Sequence, residues 1–246
     1  MISELGRIHE LYLYPVKSMA GTSVGSAMLG WHGIEGDRRL AFRRLSDTSG
    51  FPWLTASRLP AMLLYQPEVV DSSAGAALPS HVRTPEGVRL ELHGDALREE
   101  LSRRFGSAVE LMKLNQGIFD EASVSVISIA TMLSVERELD RPVDRRRFRP
   151  NVVVETHVRE PFNEDPWVGR RLVFGDSVDG AALSITLRDQ RCVMINFDPD
   201  TAQQDPAVMK AVVRMNQNTA GVYGTVVQEG PLTVGQRVFL ISESAR

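Results

Sequence analysis

The sequence predicts a mainly β, α+β protein of barrel or sandwich architecture, divided into two units. Three observations carry this. Short β-prone runs recur along the chain, separated by Gly and Pro, without an alternating strand–helix series. Helical periodicity is confined to three segments. A composition shift near 113–122 (KLNQGIFDEA) separates residues 1–112 from 113–246, to within about ten residues. At 246 residues the chain can bury a large core, so it needs no disulfide or structural metal to fold.

The elements follow in order. Residues 8–14 (IHELYLY) form a strand that stops at Pro15. DSSAGAALPS at 71–80 is a small-residue loop. Residues 82–92 form a hairpin about Pro85-Glu86-Gly87, with Val88, Leu90 and Leu92 alternating with Arg89 and Glu91. A helix starts at Asp95 as N-cap, carries Leu97, Leu101 and Phe105 on one face, and ends at Gly106. A second, capped by Ser128, spans 129–139 with Ile129, Met132, Leu133 and Leu139 at helical spacing. Residues 151–155 (NVVVE) and 183–187 read as strands. The third helix has Asp205 as cap, Pro206 at its first position and an apolar stripe of Val208, Met209, Val212 and Val213. Strands at 222–227 and 237–241 close the chain.

Composition bounds the function. Hydrophobic residues make 43% and charged residues 24%, as in folded globular proteins. Lys and Arg number 28 against 31 Asp and Glu, a net charge of −3, so no bulk positive charge exists to hold nucleic acid or a membrane surface. No window approaches an uninterrupted membrane-spanning apolar run, and MISELGRIHELYLYPVK lacks a signal-peptide pattern. The single cysteine, Cys192, excludes an intramolecular disulfide, a multi-thiolate zinc site and an iron–sulfur cluster. Cysteine usage therefore points to a reducing cytoplasm. There is no Gly-rich nucleotide loop, HExxH or GxSxG.

Four stretches are unusual. In YPVKS (14–18), a lysine placed after a strand end and a proline-fixed turn, with Ser18 beside it, can bind an anion; the alternative is an exposed loop lysine. In GIEGDRRLAF (33–42), the Gly36-Asp37 turn feeds a strand starting near Arg38, so either Arg38 or Arg39 faces inward and needs an anionic partner. A surface pair with Asp37 is equally consistent. In DRRRFRPN (144–151), four arginines run into a strand that reads as buried. Arg149 and Asn151 suit a phosphate or a polar ring edge, while a solvated basic face remains open. In LRDQRCVMINFDPDT (187–201), Arg188 and Arg191 favour a Cys192 thiolate, the form that attacks or ligates a soft metal; composition alone favours an inert buried cysteine.

These four stretches in this order, with GVYG and LTVGQRVFL near the end, resemble the MOSC family, the molybdenum-cofactor domain group, together with its N-terminal β-barrel partner domain, and in particular its amidoxime-reducing branch. The resemblance implies an N-terminal barrel-like domain over 1–112 and a C-terminal MOSC β-barrel with a few helices over 113–246. It also implies a pyranopterin molybdenum cofactor, with Cys192 as the protein's metal ligand. Lys17, Ser18 and Arg38 match residues that hold the phosphate and pterin, and Arg149 and Asn151 match a second arginine-bearing motif. Ser128 and Thr131 fall where the family places a hydroxyl pair near the cofactor, and Arg191 is a further contact. Asp189-Gln190-Arg191 departs from the cysteine or proline common in the amidoxime-reducing branch.

The implied activity is reduction of small N-hydroxylated compounds by a molybdenum oxidoreductase. Its electrons come from a separate ferredoxin, flavoprotein or cytochrome-type donor, since no sequence remains to house a redox group. Two alternatives stand beside it: a sulfur-carrier or cofactor-handling protein using Cys192, and a non-catalytic anion-binding module. Pyridoxal phosphate near Lys17 is a weaker option, because nothing else marks a Schiff-base lysine.

Overall fold

A computed structural model describes residues 2–69, 78–119, 121–177 and 179–241. Most of the 71–80 loop therefore lies outside the described residues. Strands dominate, and three α-helices occur among the described residues: Asp95–Phe105 (α1), Ile129–Leu139 (α2) and Pro206–Asn216 (α3).

Seven strands close into a barrel. Their spatial order is Val152–Thr156, Val124–Ser128, Thr219–Gln228, Ala181–Gln190, Arg171–Phe174, Arg237–Ile241 and Ile2–Leu13, and the last pairs back onto the first. Val124–Ser128 and Val152–Thr156 run parallel. Helix α2 lies between them in the chain and supplies the crossover that a parallel pair needs. The Val152-Val153-Val154 run is buried on both faces. Val152 and Val154 fill the barrel with Val124 and Val126, whereas Val153 packs outward with Ile127 against α2 and α3.

Ile2–Leu13 is the first strand in sequence, yet it seals the barrel built by the second half of the chain, so sheet pairing crosses residue 112. It bulges between Glu4 and Gly6 and again between Ile8 and Glu10. Gly6 has φ +151°, and a Cβ there would lie 1.9 Å from the Glu155 carbonyl oxygen. Only glycine permits that seam. A second core, built on Leu40, Phe42, Met62, Tyr65, Val82 and Leu97, fills the other unit. It holds α1 and the hairpin of His81–Arg83 with Arg89–Glu91.

Three local expectations change. Helix α1 begins at Asp95 with Gly94 at the cap, so Asp95 sits in the first turn, where its charge suits the helix N-terminus. The strand after Gly36 begins at Leu40, because Arg38 adopts a left-handed conformation at φ 48°. The arginine run coils into a short 3-10 helix, Arg145–Phe148. Ser128 and Asp205 cap as expected, accepting hydrogen bonds from the backbone of Thr131 and Ala207.

Candidate functional site

The turn that ends the first strand carries Lys17 and Ser18, both buried. Val16 bridges to Leu40, and the Lys17 N–H donates to the Leu40 carbonyl at 2.7 Å. Lys17 Nζ donates to the Ile118 carbonyl at 3.4 Å and lies 5.3 Å from the centre of the Phe51 ring. Asp37, fully buried, accepts the Tyr14 N–H at 2.7 Å and pairs with the Arg38 guanidinium. Arg38 is thus the inward arginine, turned there by its left-handed backbone rather than by strand alternation. It also donates to Asn151 Oδ1 at 3.1 Å and to the Arg149 carbonyl at 3.3 Å. Arg149 returns a bond to the Met19 carbonyl at 2.9 Å. Both guanidiniums lie over the Tyr14 ring, Arg38 at 5.0 Å and Arg149 at 4.2 Å. Three stretches separated by up to about 130 residues therefore meet at one aromatic ring.

Asn151 is fully buried, with both ends of its amide engaged by the Tyr12 carbonyl, the Ser125 N–H and Arg38. Its place is as the support of Arg38. From Ser125 the network continues to Asp189 and then to Arg191. Arg191 also donates to the Phe148 carbonyl and exchanges backbone and side-chain bonds with Asn218.

Cys192 follows directly and is exposed. This overturns the buried placement that composition favours. The loop carrying it is nonetheless fixed. Ile195 inserts into the α2/α3 core and Phe197 into the core of the other unit. Arg147 donates to the Asn196 carbonyl at 2.8 Å and to Asp198 at 2.9 Å, while Arg146 pairs with Asp144 and Asp200. Burial would raise the Asp198 carboxyl, but hydrogen bonds from Asp200 and Thr201, with the Arg147 charge, hold it below the usual range. Arg145 pairs with Glu10. The arginine run therefore clamps the DPDT stretch and the first strand, and is not a free basic face.

Between the two units lies a cleft of about 330 Å³, walled by Tyr12, Tyr14, Arg83, Arg146, Arg149 and Met194. Arg83 comes from the hairpin of the N-terminal unit, and Met194 lies two residues beyond Cys192. Of the residues singled out by sequence, Arg149 lines this cleft, and Arg38, Asn151 and Arg191 join it through the hydrogen-bond network behind it. Lys17 and Ser18 lie in the turn after Tyr14, and Cys192 lies two residues before the cleft-lining Met194; none of the three is part of its wall. Ser128 and Thr131 stand apart from that network. Both are sealed in the interior, where their hydroxyls donate to Glu164 at 2.7 and 2.8 Å and the Gly221 N–H adds a third bond at 3.2 Å. Burial pushes the Glu164 carboxyl up, against the hydrogen bonds from Ser128 and Thr131. Tyr14 heads the YPVKS stretch and Phe197 lies within the 187–201 stretch, so a signal for each exists in the sequence; nothing in the local sequence marks Glu164.

A family model described as the MOSC domain matches residues 93–239, and one described as the MOSC N-terminal beta barrel domain matches residues 5–107. This chain belongs to the MOSC domain family. The mitochondrial amidoxime reducing component 2 of Bos taurus is 23% identical to this MOSC chain, over 97% of the chain and 84% of the bovine protein. The human mitochondrial amidoxime-reducing component 1 is 22% identical over 99% and 85%. The molybdenum cofactor sulfurase of Drosophila mojavensis is 25% identical over 88% of the chain, which spans 31% of that protein. The YUAD protein of Bacillus subtilis shares the fold, with a TM-score of 0.54 at 16% identity over 99% of this chain and all of that one. No described helix is long and apolar enough to cross a membrane.

Proposed function

We propose that this MOSC protein is a molybdenum-dependent oxidoreductase that reduces N-hydroxylated compounds. The observation that carries the reading is an exposed thiol, on a loop anchored by Ile195 and Phe197, two residues before Met194 in the wall of a cleft rich in arginine. Among the described residues no three His, Cys, Asp or Glu side chains gather to ligate a metal. A metal at Cys192 therefore needs further ligands from a bound group. The surroundings fit such a group: the cleft offers guanidiniums for a phosphate and a buried tyrosine hydroxyl without a partner among the described residues, and the exposed soft sulfur of Cys192 lies two residues before the cleft-lining Met194.

In this reading Cys192 ligates the metal. Lys17, Ser18, Arg38 and Arg149 hold the phosphate and pterin, with Arg191 alongside. Asn151 keeps Arg38 in place. Ser128 and Thr131 act at one remove, by tying α2 to Glu164. When bound, the group supplies two-electron oxygen-atom transfer. The overall reaction takes an N–OH compound, two electrons and two protons to the N–H compound and water, with the electrons supplied by a separate donor protein. The anchoring of Ile195 and Phe197 in two different cores keeps the Cys192 sulfur at a fixed position, which metal ligation requires. The test is reduction of a model amidoxime by protein loaded in a host that makes the pterin cofactor, with a reduced dye as donor. Wild type should turn over and Cys192→Ser should not; full activity in the variant refutes the reading.

The exposure of Cys192, with the likeness to the sulfurase, favours one second reading: a protein that carries sulfur as a Cys192 persulfide. Mass spectrometry decides between them, since a persulfide on metal-free protein supports the carrier.

A further inference from the structure

Tyr14 stands where the separate stretches of the site converge, and its hydroxyl is the one polar group of that residue left unused. The side chain is 2% exposed, yet Oη has no hydrogen-bond partner among the described residues. A buried hydroxyl in that state is costly, and native structures rarely keep one without a purpose. The backbone of the residue is fully engaged: its N–H goes to Asp37 and its carbonyl accepts the Arg38 N–H at 2.8 Å. The ring is held as well. A Cβ at Gly21 would fall 2.3 Å from Cε1, so the ring lies directly on the glycine backbone, while Arg38 and Arg149 cover it. Tyr14, Gly21 and Arg149 together form part of the cleft wall.

Burial pushes the phenol up, and the pull of Arg149 and Arg38 does not reverse that. The hydroxyl therefore keeps its proton at neutral pH and is a donor. A fixed donor on a ring covered by two guanidiniums suits an anionic oxygen and disfavours a cation. We infer that Tyr14 is a binding residue of the cleft, donating from Oη to an oxygen of a phosphate group. Lys17, Ser18, Arg38 and Arg149, all close by along the chain or in space, are the companions such a group needs. The inference rests on the reading of this cleft as the seat of a phosphate-bearing cofactor, and adds a residue to it.

Tyr14→Phe tests it cleanly, because the ring, its seat on Gly21 and both guanidinium contacts survive. Inorganic phosphate is titrated calorimetrically into cofactor-free full-length protein. Wild type should bind, and the variant should bind about tenfold more weakly, the loss of one hydrogen bond to a charged group. Without ligand, the variant should melt at the same temperature or higher, since a partnerless hydroxyl has been removed; a merely structural role predicts a lower one. In cofactor-loaded protein, the variant should release pterin faster, read by fluorescence after oxidation. Equal phosphate affinities, or no phosphate binding by wild type, overturn the inference. A wild type that takes up no molybdenum, alongside a variant weakened toward phosphate, refutes the metal reading and leaves Tyr14 in place.

Discussion

Replacing Phe197 with alanine tests the idea that the Cys192 loop is bolted to the far unit. Phe197 is 1% exposed and packs with the cluster built on Leu40, Phe42 and Leu97, although it lies only five residues after the thiol. Deleting a core phenylalanine costs about 3–5 kcal/mol. Phe197 also lines the cleft, so the space it vacates opens onto water and the lower end, about 3 kcal/mol, is expected. For a chain of this size that lowers Tm by roughly 6–12 °C. Calorimetry measures the shift, with Val213→Ala, an exposed position on α3, as a control expected within about 0.5 kcal/mol of wild type. Hydrogen exchange should show residues 192–201 opening while Val152–Thr156 stays protected. A Tm change no larger than the control, with an unaltered loop, would refute the anchoring argument.

Two further perturbations separate parts of the fold. Gly6→Ala places a Cβ against the Glu155 carbonyl at the barrel seam and should cost at least about 3 kcal/mol, read from the urea midpoint; a neutral variant would mean that the seam is not tight. Glu164 has its carboxyl raised by burial, so the native state binds a proton more readily than the unfolded chain. Its contribution to stability therefore grows as pH falls through the raised value toward the ordinary 4.5, and is lost as pH rises above that window. Glu164→Gln should flatten this part of the pH–stability curve, and parallel curves for the two proteins would contradict the assignment.

What the sequence discloses follows the range of the forces involved. Helices α2 and α3 are legible because Ser128 and Asp205 satisfy local backbone donors. The Val152–Val154 run is legible because both of its faces are buried. Barrel closure is not, since Ile2–Leu13 pairs with partners about 150 and 230 residues away and no local pattern encodes that register. The motif stretches single out Lys17, Ser18, Arg38, Arg149 and Cys192 as candidates. They do not reveal that Arg146 and Arg147 spend their charge on Asp200 and Asp198, or that Ser128 and Thr131 turn inward to Glu164. Those partners are set by packing between distant segments. Cys192 is the sharpest case: a lone cysteine is buried by default, and here it is exposed while Ile195 and Phe197, three and five residues on, are buried in two different cores.

The central proposal is that Cys192 ligates a metal whose other ligands come from a bound group, since among the described residues no three His, Cys, Asp or Glu side chains gather. The most direct measurement is molybdenum per protein, by elemental analysis, for wild type and Cys192→Ser purified from a host that makes the pterin cofactor. The account predicts stoichiometric metal in wild type and its loss in a variant that melts as wild type does. Metal-free wild type, or a variant that keeps its molybdenum, would contradict it.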